Sequence, residues 1–235
     1  MTSEVKFSTG FSSVWKEITP LGDGFWSVEN MLTHRIAAPI TNKAPKHLRG
    51  LVNELAFIAF TRLANSGKKT SREDVYNCVS ESIIEATTYI NRVNPTESAS
   101  PKLVDETCIR EAMLITLRLL AFFPLGKPKT LRPKFLGCGF INACEGDVIF
   151  NDHLFEVKAG DRTFRVSDLR QLLTYAALAH ASGNLNFTKI GLFNPRTGLS
   201  WSKNIDDVCL AISGLRANDV LPKIIDHMLL EATSR

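Results

Sequence analysis

The chain has no long apolar run, no paired cysteines and no phosphate-gripping glycine loop, and each absence removes a class of explanation. Its longest apolar stretch, Leu117 to Phe123 (LRLLAFF), is far shorter than the ~20 residues of a membrane span, so no membrane partner is expected. Met1 to Phe11 lacks the apolar segment of a secretory signal, and a cytoplasmic location is the expectation. The cysteines, Cys78, Cys108, Cys138, Cys144 and Cys209, are odd in number, and none stands in a CxxC pair. They read as reduced thiols serving as small buried hydrophobes, not as a disulfide framework. No GxxxxGK[ST] loop occurs: Ser66 to Thr70 (SGKKT) lacks the first glycine and a preceding strand, so any ATP-driven step must come from a partner. Internal repeats and low-complexity tracts are also absent.

What is present is an ordinary globular composition. The 235 residues are 44% hydrophobic and 22% charged, enough for one domain, or a core with an N-terminal elaboration, without disulfide or metal staples. A net charge of +4 permits nucleic-acid binding without requiring it. Residues 1–43, rich in Ser, Thr and Gly, read as short strands and loops. Helices are expected from Pro45 to about Ala64, from Ser71 to Asn91, and from Leu103 to Phe123, the last strongly apolar and central. The polar stretch Asn94 to Pro101 reads as an exposed connection.

After Pro124 the character changes. KFLGCGFI, GDVIF and HLFEVKA read as strands, with Asn151-Asp152 turning between the last two. Ser167 should cap a helix that ends before Gly183. FTKIGLF and GLSW form a hairpin across Asn194 to Thr197, placing Arg196 at a surface tip, and two helices close the chain. The division is a mostly helical part, 1–130, packing on a core, 131–235.

The chemistry sits between Asp147 and Tyr175. Residues i and i+2 of a strand share a face, so Glu156 and Lys158 point the same way with Val157 behind them. The preceding hairpin strand would bring Asp147 beside them. Two carboxylates and a carbonyl suit Mg²⁺ or Mn²⁺, hard cations that keep several waters and can activate one for attack on a phosphodiester. The Lys158 pKa would fall through burial and rise beside carboxylates, two opposed effects. Gln171 and Tyr175, one helical turn apart, face together and can reach a phosphate, a base or the lysine. Any ExK triplet alone is weak; Asp, turn, ExK and then QxxxY is much more specific. The bland alternative is an amphipathic hairpin with an exposed Glu–Lys pair.

This order of residues resembles the PD-(D/E)xK nucleases, in particular the RecB-like branch with a QxxxY motif. The resemblance spans about Lys134 to Trp201. It implies an α/β (α+β), restriction-endonuclease-like mixed sheet flanked by helices, here with a largely helical N-terminal elaboration. It further implies catalysis by Asp147, Glu156 and Lys158 with Gln171 and Tyr175 accessory, and a metal held by Asp147, Glu156 and the Val157 carbonyl. The upstream helix acid of that branch corresponds to Glu54, with His47 a weaker candidate nearby. Some members hold an iron–sulfur cluster, but only Cys209 follows Tyr175 here, so no cluster is expected. Arg162, Arg165 and Arg170 flank the site and are candidates for steering a phosphate backbone, whereas the Lys127, Lys129, Arg132, Lys134 group is as readily a solvated surface. The expected activity is a DNA endonuclease of prokaryotic restriction or antiphage defence, with RNA as a further substrate. The alternative is a non-catalytic nucleic-acid-binding or scaffold subunit. The helical half offers a surface for a homodimer or for a partner such as an ATPase.

Overall fold

Both edges of the central sheet come from strands that precede Asp147 in the chain. The computed structural model describes residues 1–68, 70–93 and 99–233, with side chains through 230. Lys69 and most of the connection expected from Asn94 therefore lie outside the described residues. In order, the elements are α1 (Glu4–Gly10), α2 (Ser12–Ile18), α3 (Gly22–Met31), β1 (His34–Arg35), α4 (Arg49–Ser66), α5 (Arg72–Glu81), α6 (Ile83–Val93) and α7 (Glu106–Phe122). Then follow β2 (Lys129–Leu131), β3 (Lys134–Phe135), β4 (Cys144–Glu145), β5 (Val148–Phe150), β6 (His153–Val157), α8 (Val166–Ala181), β7 (Lys189–Asn194), β8 (Leu199–Asn204), α9 (Ile205–Ser213) and α10 (Ala217–Thr233).

The six-stranded sheet runs β1-β8-β7-β6-β5-β2, and β3 pairs separately with β4. Only the β6–β7 pair is parallel, with α8 as the crossover that parallel pairing requires. The fold is thus mixed α/β, an open mixed sheet with helices on both faces. Alternation along the strands sorts the two faces. Leu154, Ile149, Ile190 and Trp201 join the core beneath α8, together with α9, α10 and the N-terminal helices. Phe155, Val148 and Phe193 join the core beneath α4 and α7. In that second layer α4, not α7, is the middle helix, packing on α5, α6 and α7.

The N-terminal segment departs most from expectation. It forms three short helices where strands and loops were expected, with only His34–Arg35 extended. Its Ser and Thr residues act as helix ends: Ser3 caps α1 by accepting from the Lys6 N–H. Burial fixes the rest, since Phe7, Trp15 and Trp26 all enter the core beneath α8. KFLGCGFI yields only the two residues of β3, and the expected helix from Ser71 breaks at Ser82 into α5 and α6. The boundary expected at 130/131 falls inside β2. The cap of α8 is Arg165, whose N–H is taken by Asp168, and not Ser167. The thiols are all unpaired, but only Cys108 and Cys209 are fully buried. Burial pushes Cys108 up to about 11 and Cys144 and Cys209 to about 12, which leaves them poor nucleophiles at neutral pH.

Gly198, in the turn between β7 and β8, has φ +72°, and a Cβ there would sit 2.1 Å from the Ala37 carbonyl oxygen. Its own carbonyl accepts from the Ile36 N–H, which extends the β1 edge. Gly198→Ala is expected to cost about 2 kcal/mol through backbone strain, read as a lower midpoint in thermal unfolding.

Candidate active site

Register alone sets two carboxylates side by side. Val148 pairs with Phe155, so the next step of the antiparallel ladder places Asp147 opposite Glu156. On the other side Leu131 pairs with Val148, and the Arg132 N–H donates to the Asp147 carbonyl at 2.9 Å. Arg132, Asp147 and Glu156 therefore lie in one row across three strands. The turn that makes this hairpin is Asn151-Asp152, as expected, and Asn151 takes a left-handed φ of 57°.

The side chains then lock together. Asp147 Oδ2 accepts from the Val157 N–H at 2.7 Å. Lys158 Nζ donates to Glu156 Oε1 at 2.9 Å and to Gln171 Oε1 at 2.7 Å. Gln171 Nε2 donates to the Tyr175 hydroxyl at 2.8 Å, and that hydroxyl donates to the Glu145 carbonyl at 3.2 Å. Tyr175 also stacks on Phe135. Gln171 and Tyr175 are buried. Of the three contacts open to them from the sequence, the one made is with the lysine.

Burial and charge oppose each other here. Burial raises the Asp147 carboxyl well above its ordinary pKa, and the adjacent Glu156 adds to the effect. For Lys158 burial alone would lower the pKa. Glu156, Asp168 and Asp147 outweigh it, and the net shift is upward, so the group is a firm ammonium ion. Glu156 Oε2 is buried with no hydrogen-bond partner among the described residues. An orphaned carboxylate oxygen beside a second strained carboxyl is the environment that a hard cation would relieve. Asp147, Glu156 and the Val157 carbonyl could hold one, with Glu54, paired to Arg132, across the same cavity. Among the described residues no group of three or more His, Cys, Asp or Glu forms a ready-made metal cluster; Mg²⁺ would rely on two carboxylates, a carbonyl and water.

Asp147, Val157 and Lys158 line a cavity of about 360 Å³, and so does Glu54, reaching in from α4. Burial raises the Glu54 pKa against the opposing pull of Arg132, which donates to its Oε1 at 2.7 Å. His47 is exposed and does not line this space. The flanking arginines divide. Arg162 lines the cavity but is held by both oxygens of Asp168, at 2.6 and 2.8 Å. Arg165 is exposed. Arg170 is only 9% exposed, directed at Asp23 and the Trp15 ring, and is not available to a backbone.

Three neighbours were not singled out in the sequence. Asp168 is 4.0 Å from Lys158 and organises the start of α8; an acid at the third helical position was its only signal. Glu4 of α1 lies close enough for its charge to act on Glu156 and Lys158, and burial raises its pKa. Arg132 was visible only as one member of a basic group.

Arg196 overturns the surface reading. It is 2% exposed, and its guanidinium binds Glu111, Asn42, Asn53 and the Ala159 carbonyl. It thereby ties α4 and α7 to the loop that follows Lys158.

Comparison of the chain with protein-family models and with curated proteins finds no match.

Proposed function

We propose that this chain is a divalent-metal-dependent nuclease with a restriction-endonuclease-like core, of the PD-(D/E)xK type with a QxxxY helix. The observation that carries the reading is the continuous chain Glu156–Lys158–Gln171–Tyr175, set beside Asp147 at the wall of a cavity. Four residues chosen by spacing are joined at hydrogen-bond distance with one carboxylate oxygen left over, and the fifth, Asp147, holds the Val157 N–H beside them. An ordinary exposed Glu–Lys pair would have no reason to be buried or to recruit a glutamine and a tyrosine.

Asp147 and Glu156, with the Val157 carbonyl and Glu54, would hold Mg²⁺ or Mn²⁺. When bound, that ion supplies charge for the scissile phosphate and lowers the pKa of an attacking water. The neighbouring carboxylates hold the Lys158 pKa up, and in this reading the ammonium acts by charge and orientation on the phosphate or the water. Gln171 fixes the ammonium, and Tyr175 fixes Gln171. DNA is the preferred substrate in this reading, with a role in restriction or antiphage defence, and RNA shares the chemistry.

The test is supercoiled plasmid with Mg²⁺ or Mn²⁺, wild type beside Lys158→Ala. Metal-dependent nicking by the wild type should fall on the order of a hundredfold or more in the variant. Nucleic-acid binding with no cleavage would instead indicate a non-catalytic subunit. Equal cleavage by both proteins would put the active site elsewhere.

A further inference from the structure

Arg162 and Arg170 are committed to Asp168 and Asp23, so they leave little cationic surface beside Lys158 for a polyanion. A different surface is built from other residues of the cavity lining. Arg132 takes a left-handed backbone, φ 49°, which turns its side chain out of the strand row. Its guanidinium carbon lies 5.1 Å from the centre of the Phe57 ring and 5.3 Å from that of Tyr89. Arg92 stands over the Tyr89 ring as well, also at 5.3 Å. Phe57, Tyr89 and Arg132 all line the cavity, whereas Arg92 is exposed on the last turn of α6. The four side chains make a ladder from the carboxylates to the outer surface.

A cation–π contact holds a guanidinium over a ring while leaving N–H donors for another partner. Nη2 of Arg132 is engaged by the Glu54 carboxylate and the guanidinium also bonds the Tyr89 side chain, which leaves part of its donor edge free, while Arg92 has no carboxylate partner among the described residues. Planar cations fixed by aromatic side chains, with donor edges to spare, suit the phosphates of a nucleic-acid strand.

We propose that the ladder Phe57–Arg132–Tyr89–Arg92 is the track of the nucleic-acid strand leaving the cavity over α6. Arg132 takes a phosphate next to the carboxylates, and Arg92 takes one further out. The proposal rests on the nuclease reading for the identity of the cavity. Arg132 is a positioning residue for the substrate.

The experiment is fluorescence anisotropy of labelled single-stranded and duplex DNA oligonucleotides across a salt series, without divalent metal so that binding is separated from cleavage. Arg92→Glu, at an exposed position, should weaken binding about tenfold and flatten the slope of log affinity against log salt by about one or more. Arg132→Lys keeps the charge but loses the planar multi-donor guanidinium, and should weaken binding with little change of slope. Arg165→Glu, exposed but off the ladder, should do much less. Wild-type affinity and slope in Arg92→Glu, or a loss confined to Arg165→Glu, would overturn the track. So would a wild type that binds neither these DNAs nor labelled RNA of the same sequence in the same assay. Cleavage by the wild type with binding unaffected in Arg92→Glu removes the track and leaves the nuclease. Arg92-dependent binding without any cleavage does the reverse.

Discussion

Asp147→Asn should lose metal-dependent cleavage on the order of a thousandfold, and the metal-free variant should unfold at a higher temperature than the wild type. The first effect follows from removing one of the carboxylates that would hold the ion, whose charge is worth several kcal/mol to the reaction. The second follows from the cost of burying Asp147 as an anion beside Glu156. Its folded-state pKa lies above the unfolded value of about 3.9, so the native protein holds its proton where the unfolded chain has lost it. That contribution to stability is complete below the unfolded value and is lost as pH rises through the folded one. Asparagine removes the charge and can still accept from the Val157 N–H. The gain should therefore appear at neutral pH and shrink on acidification. Mg²⁺ should raise the midpoint of the wild type and barely move that of the variant. Calorimetry with EDTA and with Mg²⁺ checks this; a variant less stable than wild type at neutral pH would mean that Asp147 is an ordinary structural carboxylate.

Arg196→Met should be among the most destabilising single changes in the chain. Methionine approximates the apolar stem but supplies no donor to Glu111, Asn42, Asn53 or Ala159. Glu111, 3% exposed, would be left a buried anion without its cation. Breaking such a pair from one side costs about 3–5 kcal/mol, which for a chain of this size lowers the midpoint by about 10 °C. Burial alone would raise the Glu111 pKa. Hydrogen bonds from the Ala44 and Lys43 N–H groups and the Arg196 charge outweigh it, and the net shift is downward. The stabilisation is therefore present above the unfolded value of about 4.3 and is lost as pH falls through the folded one. Arg196→Met combined with Glu111→Leu should be less harmful than the sum of the two singles, because neither partner is then stranded. Urea titrations at neutral pH measure all four proteins; a loss within about 1 kcal/mol for Arg196→Met would show the network to be dispensable.

What was legible in the sequence was short in range. The Asp147–Glu156 pairing needs only a two-residue turn and the strand period, and Gln171 and Tyr175 need only the helical turn. Lys158 meets Gln171 across thirteen positions, spanned by one loop. Arg196 meets Glu111 across 85 positions, and nothing local to a Pro-Arg-Thr turn announces a partner so distant. The N-terminal helices failed for a related reason. They are of seven to ten residues, too short to stand on propensity, and their Phe and Trp residues are helical because α8 buries them. Arg132 escaped because its role depends on a left-handed backbone, which composition does not reveal in an arginine.

The placing of the sheet edges has a consequence for how this chain can be divided. The outermost strands, β1 and β2, are two and three residues long, and both precede the segment that carries Asp147 to Tyr175. Excising residues 131–235 as a portable catalytic unit would leave the outer edges of β8 and β5 without the partners they have at Leu199–Ser200 and along β5, and strip the helices from one apolar face. Such a fragment would seek strand partners in other copies of itself. The site is written between Asp147 and Tyr175, but the sheet that carries it is completed by strands that precede it.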